Sequence, residues 1–360
     1  MIAQPFFLNG VWRAARLRRL MKRALTLSAL AALAFLAGEA VAAPASLDKL
    51  ERLSLGGHEY VRVRDWAEAN GLAVAWVRSG KSLRVTGGAG SVVLTDDSRT
   101  AAVHGINVWL SFPVVVREDK AWVALLDVKT AIAPLLFPAR GAGAIRLVAL
   151  DPGHGGKDKG HYEKKLFEKD CTLLLAREVR DQLSHAGLKA TLTRSTDAFI
   201  ELEERPALAR RRRADLLVSL HFNAAGPESR EAKGIEVYCA TPAGASSTNA
   251  RGNGGSAGAV AGNQRNDSSV LLAYHLQRSL VTRLGLEDRG VRRARFEVLR
   301  LATMPAVLIE GGFLTHPSEG RRIVDPGFRR QMAKAIVEGV LNYRRAVEPE
   351  RGTRPKRSTA

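Results

Sequence analysis

Three short apolar runs each break off into a polar residue able to do chemistry, and this pattern constrains the chain more than any other feature. IRLVAL (145–150) runs into Asp151-Pro152-Gly153-His154, DLLVSL (215–220) into His221, and AVLI (306–309) into Glu310. Between and after them lie longer stretches with helical periodicity: CTLLLAREVRDQLSHAG from Cys171, SVLLAYHLQRSLVTRLG from Ser269 and FRRQMAKAIVEGVLNYRR from Phe328. Apolar strands alternating with amphipathic helices predict an α/β domain with a mostly parallel, twisted sheet and helices on both faces. In such a sheet the strand ends share one edge, where open α/β folds bind their ligands. His154, His221 and Glu310 are therefore expected side by side. A lone histidine or glutamate after a strand is ordinarily structural, but three at equivalent strand ends are harder to explain that way.

The segment before this domain differs. From Ser46 to about Pro138 short alternating stretches (HEYVRVRDW, KSLRVTGG, SVVLTD, INVWLSFPVVV, AWVALLDV) are separated by Gly, Asp and Ser turns, which predicts a small β-rich α+β module at 44–140 with a short helix near Val63 to Asn70. Trp66, Trp76, Trp109 and Trp122 all fall here and are expected to pack inward. After a linker at Arg140, the α/β domain is expected at 145–345. It is interrupted by a Gly/Ser-rich loop at 241–269, read as mobile, and followed by a basic, disordered tail at 346–360.

At the amino terminus, Lys22 and Arg23 precede the uncharged run ALTLSALAALAFLAG and then Ala40-Val41-Ala42, the three parts of a secretory signal over residues 1–42. The run has 15 residues, against the roughly 20 needed to span a bilayer, so no permanent membrane span is expected. Met21 is an alternative start. Six basic residues and Glu39 leave with the signal, taking the formal charge from +19 to +14. A basic exported protein suits a polyanionic partner in the periplasm or cell envelope, and export separates it from cytoplasmic nucleic acid.

Only two cysteines, Cys171 and Cys239, are present, which excludes cysteine-ligated structural zinc and iron–sulfur sites. A metal here must be held by His and carboxylate. Zinc hydrolases commonly use two His and one carboxylate, with a fourth position open to water. Glu163 and Glu168 both lie between His154 and His221; Glu168, at the entrance of the helix predicted near Cys171, is the better placed, and Glu163 is the alternative. A phosphate-cradling reading of DPGHGG lacks the Lys-Ser/Thr pair of a P-loop.

The segments VALDPGHGGKD (148–158), EKD (168–170), LTRSTD (192–197) with Leu202 and Arg205, SLHFNA (219–224), ARFEVLR (294–300) and PAVLIEGGF (305–313) resemble, in order and spacing, the zinc-dependent N-acetylmuramoyl-L-alanine amidases from Arg146 to Arg345. The resemblance implies one zinc ion held by His154, Glu168 and His221, Glu310 as the catalytic carboxylate, and peptidoglycan as substrate. Arg295, Arg300 and Asn223 are candidates for holding substrate, with ion pairs to Glu287 or Glu297 as the structural alternative for the arginines. Arg210 and His316 stand where the family often has Asn. No inhibitory helix of the kind some relatives carry is expected in the Gly/Ser-rich loop. The amino-terminal module resembles the copper amine oxidase N-terminal-like domain, without implying copper chemistry, and is expected to dock to the wall, to an envelope activator or to the catalytic domain. Two other readings remain: an exported zinc peptidase acting on free peptides, and a non-catalytic envelope-binding protein.

Overall fold

The computed structural model describes residues 47, 50–88, 90–141, 143–163, 166–249 and 258–348. The signal at 1–42, the start at Met21 and residues 349–360 of the basic tail lie outside the described residues.

The carboxy-terminal part is built on strands β10 (Leu147–Pro152), β13 (Lys189–Leu192), β14 (Leu216–Asn223), β15 (Ile235–Ala240), β16 (Asp288–Ala294) and β17 (Ala306–Phe313). β13, β10, β14 and β17 run parallel in that spatial order, while β15 lies antiparallel to β17 and parallel to β16. Strand alternation divides the side chains between two layers. Val148, Leu150, Leu216, Val218, Leu220, Val307 and Ile309 face the larger core, under α2 (Glu168–His185), α4 (Asn266–Leu284) and α7 (Pro326–Val347). Ala149, Leu217, Tyr238, Ala240, Ala294, Ala306 and Leu308 face a smaller core with α3 (Glu204–Arg211) and α5 (Glu297–Arg300). Helices thus cover both faces, as the periodicity predicts. The same alternation carries Asp151, Ser219, His221, Glu236 and Glu310 onto the second face, and charges accumulate where its apolar packing stops.

The amino-terminal part supplies strands β1 (Arg52–Leu55), β2 (His58–Arg62), β3 (Ala73–Arg78), β4 (Ser82–Gly87), β5 (Gly90–Thr95), β6 (Thr100–Val103), β7 (Ile106–Trp109), β8 (Val115–Arg117) and β9 (Lys120–Ala124), with helix α1 (Val63–Ala69). Trp66 and Trp122 are buried and Trp76 packs against the core. β1, β2, β9 and β8 form their own sheet. β3 to β7, however, join the carboxy-terminal strands: β7 pairs with β16 in parallel, at Val108 and Val291, so one sheet of 11 strands crosses both parts. The linker is tied down as well, with Gly141 N–H donating to Val347 O at 2.8 Å and Ile145 N–H to the Glu348 carboxylate at 2.9 Å.

Two expectations about loops and helix starts change. α2 begins at Glu168 rather than near Cys171, because a hairpin of β11 (Tyr162–Glu163) and β12 (Leu166–Phe167) delivers the chain straight into it. The Gly/Ser-rich stretch is also more ordered than its composition suggests. Asn263 accepts from Val260 N–H and donates to Thr241 O, Thr248 bonds Arg293 across the loop base, and α4 begins at Asn266. Residues 250–257 of that stretch lie outside the described residues. Cys171 and Cys239 are both buried free thiols.

A candidate metal centre at the strand ends

His154 follows β10 in the turn Gly153-His154-Gly155-Gly156, His221 lies near the end of β14, and Glu168 opens α2. Their ligand-competent atoms all lie within 4.8 Å of one another. Glu168 is the hub: its Oε1 is 3.0 Å from His154 Nε2 and 3.1 Å from His221 Nδ1. The carboxylate is buried, accepts from the backbone N–H of Phe222 and of His161, and sits at the positive end of a helix dipole. Burial alone would raise its pKa; the two histidines outweigh that and hold it far below the usual range. Burial likewise opposes charge on His154, and Glu168 and Asp158 overcome it to raise the pKa. The side chain of Glu163, the alternative ligand, is outside what the structure describes.

The turn that presents His154 is held by two buried arginines. Arg205 donates to the carbonyls of Pro152 and His154 and pairs with Asp151 at 2.9 Å; Arg194 donates to the carbonyls of Pro152 and Gly153. Asp151 also accepts from Thr193 and Ser219. The turn needs this support because His154 has φ +63, the left-handed region, which costs a non-glycine residue roughly 1–2 kcal/mol. Asp158 Oδ2 lies 2.9 Å from His154 Nδ1, which leaves Nε2 facing Glu168. Gly153 is required for space: a Cβ there would stand 2.2 Å from His221 Cε1.

The donor set fits zinc. Two imidazoles and one carboxylate converge, with His154 steadied by Asp158 and Glu168 by two backbone N–H groups, and the hardest charge to bury is the one that a dication would neutralise. The proximity of the three donors is shown, whereas the identity of a metal rests on this chemistry.

Glu310 is the register partner of His221 on the neighbouring strand and of Glu236 on the other side. Its Oε2 is buried without a hydrogen-bond partner. Burial first, then the charges of Glu168 and Glu236, hold its pKa well above the ordinary carboxylate range. An orphaned, hard-to-ionise carboxyl on the same sheet edge is an arrangement expected of an acid–base group.

The remaining expected contacts fall elsewhere. Arg300 pairs with Glu297 in its own helix, with its Nε 2.7 Å from the carboxylate, which is the structural alternative. Arg295 donates to Ala245 O and holds the base of the Gly/Ser-rich stretch. Asn223 does lie beside the cluster, but its Nδ2 donates to Glu236 at 2.7 Å. Sequence reasoning passed over Glu236, Asp151 and Asp158. For Glu236 and Asp151 the signal was a carboxylate inside an otherwise apolar strand, which demands a buried partner; Asp158, in the loop after β10, carried no such signal. His316, where the family often has Asn, caps α6 (Pro317–Val324), with its side chain accepting from Glu319 N–H.

Fold and side chains together define an α/β protein with a His/Glu/His cluster at the ends of its parallel strands. Residues 148–342 match the N-acetylmuramoyl-L-alanine amidase family, and residues 49–133 match the copper amine oxidase N-terminal domain. The chain is 34% identical to N-acetylmuramoyl-L-alanine amidase AmiA of Escherichia coli, over 57% of this chain and 78% of that protein. It is 35% identical to protein YqiI of Bacillus subtilis, over 55% of this chain and 84% of that protein. A crystal structure of an N-acetylmuramoyl-L-alanine amidase from Clostridium difficile is 35% identical, covering 56% of this chain and 97% of that one, with a TM-score of 0.46. This chain belongs to the N-acetylmuramoyl-L-alanine amidase family. Its activity is cleavage of the amide that joins the N-acetylmuramoyl group to L-alanine.

Proposed function

We propose that the protein is an exported, zinc-dependent amidase of the cell wall in which His154, Glu168 and His221 hold one zinc ion and Glu310 moves the proton. The observation that carries this reading is the convergence of the three donors beside an unpartnered buried carboxyl. Zinc bound there would supply a Lewis acid for the scissile carbonyl and would lower the pKa of water to about 7. Asp158 fixes the His154 tautomer, and the Arg194 and Arg205 clamps hold its backbone in place. Glu310 Oε2 takes a proton from the attacking water and returns it to the nitrogen of the leaving L-alanine. No covalent enzyme intermediate is required, since water is the attacking group. A basic exported chain and a substrate polymer carrying carboxylates support the envelope as its place of action. Among the described residues no helix is long and apolar enough to cross a membrane.

The test is incubation of the full chain with purified peptidoglycan, with zinc and with chelator. New L-alanine amino termini that vanish with chelator support the reading. New reducing sugar ends would mean a glycosidase, and equal cleavage of peptides lacking muramic acid would mean a general zinc peptidase.

A further inference from the structure

The joint between β7 and β16 leads directly to the candidate site. On the amino-terminal side, Asn107 N–H donates to the Asp288 carboxylate at 2.8 Å, Asn107 Nδ2 donates to Asp288 O, and Trp109 Nε1 donates to Arg289 O at 2.9 Å. Gly290 takes φ +91, and a Cβ there would lie 2.8 Å from Asn107 O, so β16 carries a residue that admits the other part's backbone. Next to the Val108–Val291 pair, the guanidinium of Arg292 lies 4.4 Å from the centroid of the Trp109 ring, with Tyr238 5.9 Å away. Arg292 Nη1 donates to Glu236 at 2.5 Å, and its buried Nε has no protein partner. Two rings and one carboxylate therefore set where this guanidinium sits. Glu236, almost wholly buried, also accepts from Arg289, Tyr238 and Asn223, and it is the strand partner of Glu310.

We propose that Trp109 of the amino-terminal module is a positioning residue for the amidase reaction: it fixes Arg292, which through Glu236 fixes Asn223 and the strand carrying Glu310. The module is thereby part of the machinery that orders the site, in addition to any contact it makes with the wall. The proposal rests on the amidase reading for its kinetic consequence and on the geometry alone for the coupling.

The test uses the full chain with zinc, a soluble N-acetylmuramoyl peptide, and the variants Trp109→Leu and Trp109→Phe. The leucine variant is expected to lower kcat about tenfold with KM and zinc stoichiometry unchanged, and the phenylalanine variant, which keeps an aromatic face, to recover most of that loss. An unchanged kcat, equal loss in both variants, or loss of zinc along with activity would overturn it. Hydrogen exchange reads the coupling without turnover: amides of 219–223 and 235–240 should exchange faster in Trp109→Leu, and unchanged exchange there would also overturn it. Should the unaltered protein release no L-alanine amino termini, the amidase reading falls, and the exchange result still decides the coupling.

Discussion

Glu310 and Gly153 test the site in opposite ways, one by chemistry and one by shape. Glu310→Gln preserves size and removes the titrating oxygen. Zinc content should stay at one equivalent while turnover falls by about 10²-fold or more; retained turnover would remove Glu310 from the reaction. Gly153→Ala adds one methyl where His221 Cε1 would be 2.2 Å away, so the imidazole has to move. At least tenfold weaker zinc binding in a competition titration, with the far-ultraviolet circular dichroism unchanged, is the expected outcome. The juxtaposition of His154, His221 and Glu310 was legible in the sequence because each follows an apolar run that announces a strand, although β14 and β17 continue past the runs to Asn223 and Phe313. The role of Gly153 was not, since a glycine needed for contact with a residue 68 positions away looks like any turn glycine.

At the scale of an element, the end of β10 is held by charge. Asp151 and Arg205 are both almost fully buried, and neither has water to turn to if the other is removed. Arg205→Met should destabilise the fold by about 3–5 kcal/mol, measured by urea unfolding at pH 7. The pH dependence has a definite sign. Burial alone would raise the Asp151 pKa, and Arg205, Thr193 and Ser219 reverse this, so the folded value lies below the unfolded one. Its contribution is then fully present above the unfolded value of about 4 and is lost as pH falls through the folded value. Asp151→Asn should be less stable than the unaltered protein at pH 7, and the gap should narrow below pH ~4; a constant gap would contradict the assignment. The strand was readable from IRLVAL, but the partners of Asp151 were not. Thr193, Arg205 and Ser219 are 42, 54 and 68 positions away and share no periodicity with it.

For the whole molecule, zinc held by the proposed ligands would link metal binding to folding. Zinc at 1,000 times its dissociation constant should stabilise the protein by about 4 kcal/mol, and His221→Ala should abolish the zinc-dependent rise in Tm. The change from alternating to helical periodicity near Arg140 was visible in the sequence. The continuous sheet was not, because a single bridged pair between Val108 and Val291 imposes no pattern on either segment. What is visible locally is Gly290, whose positive φ marks a close approach without naming what approaches.

That single bridged pair has a mechanical meaning. β4 and β5 share six paired positions, whereas β7 and β16 share one, reinforced by the Asn107 and Trp109 hydrogen bonds. Away from the sheet, Thr130 O crosses the same boundary by accepting from Asn266 Nδ2 and Arg293 Nη2. Displacement of β7 would reach Arg292 through Trp109, the ring that faces its guanidinium.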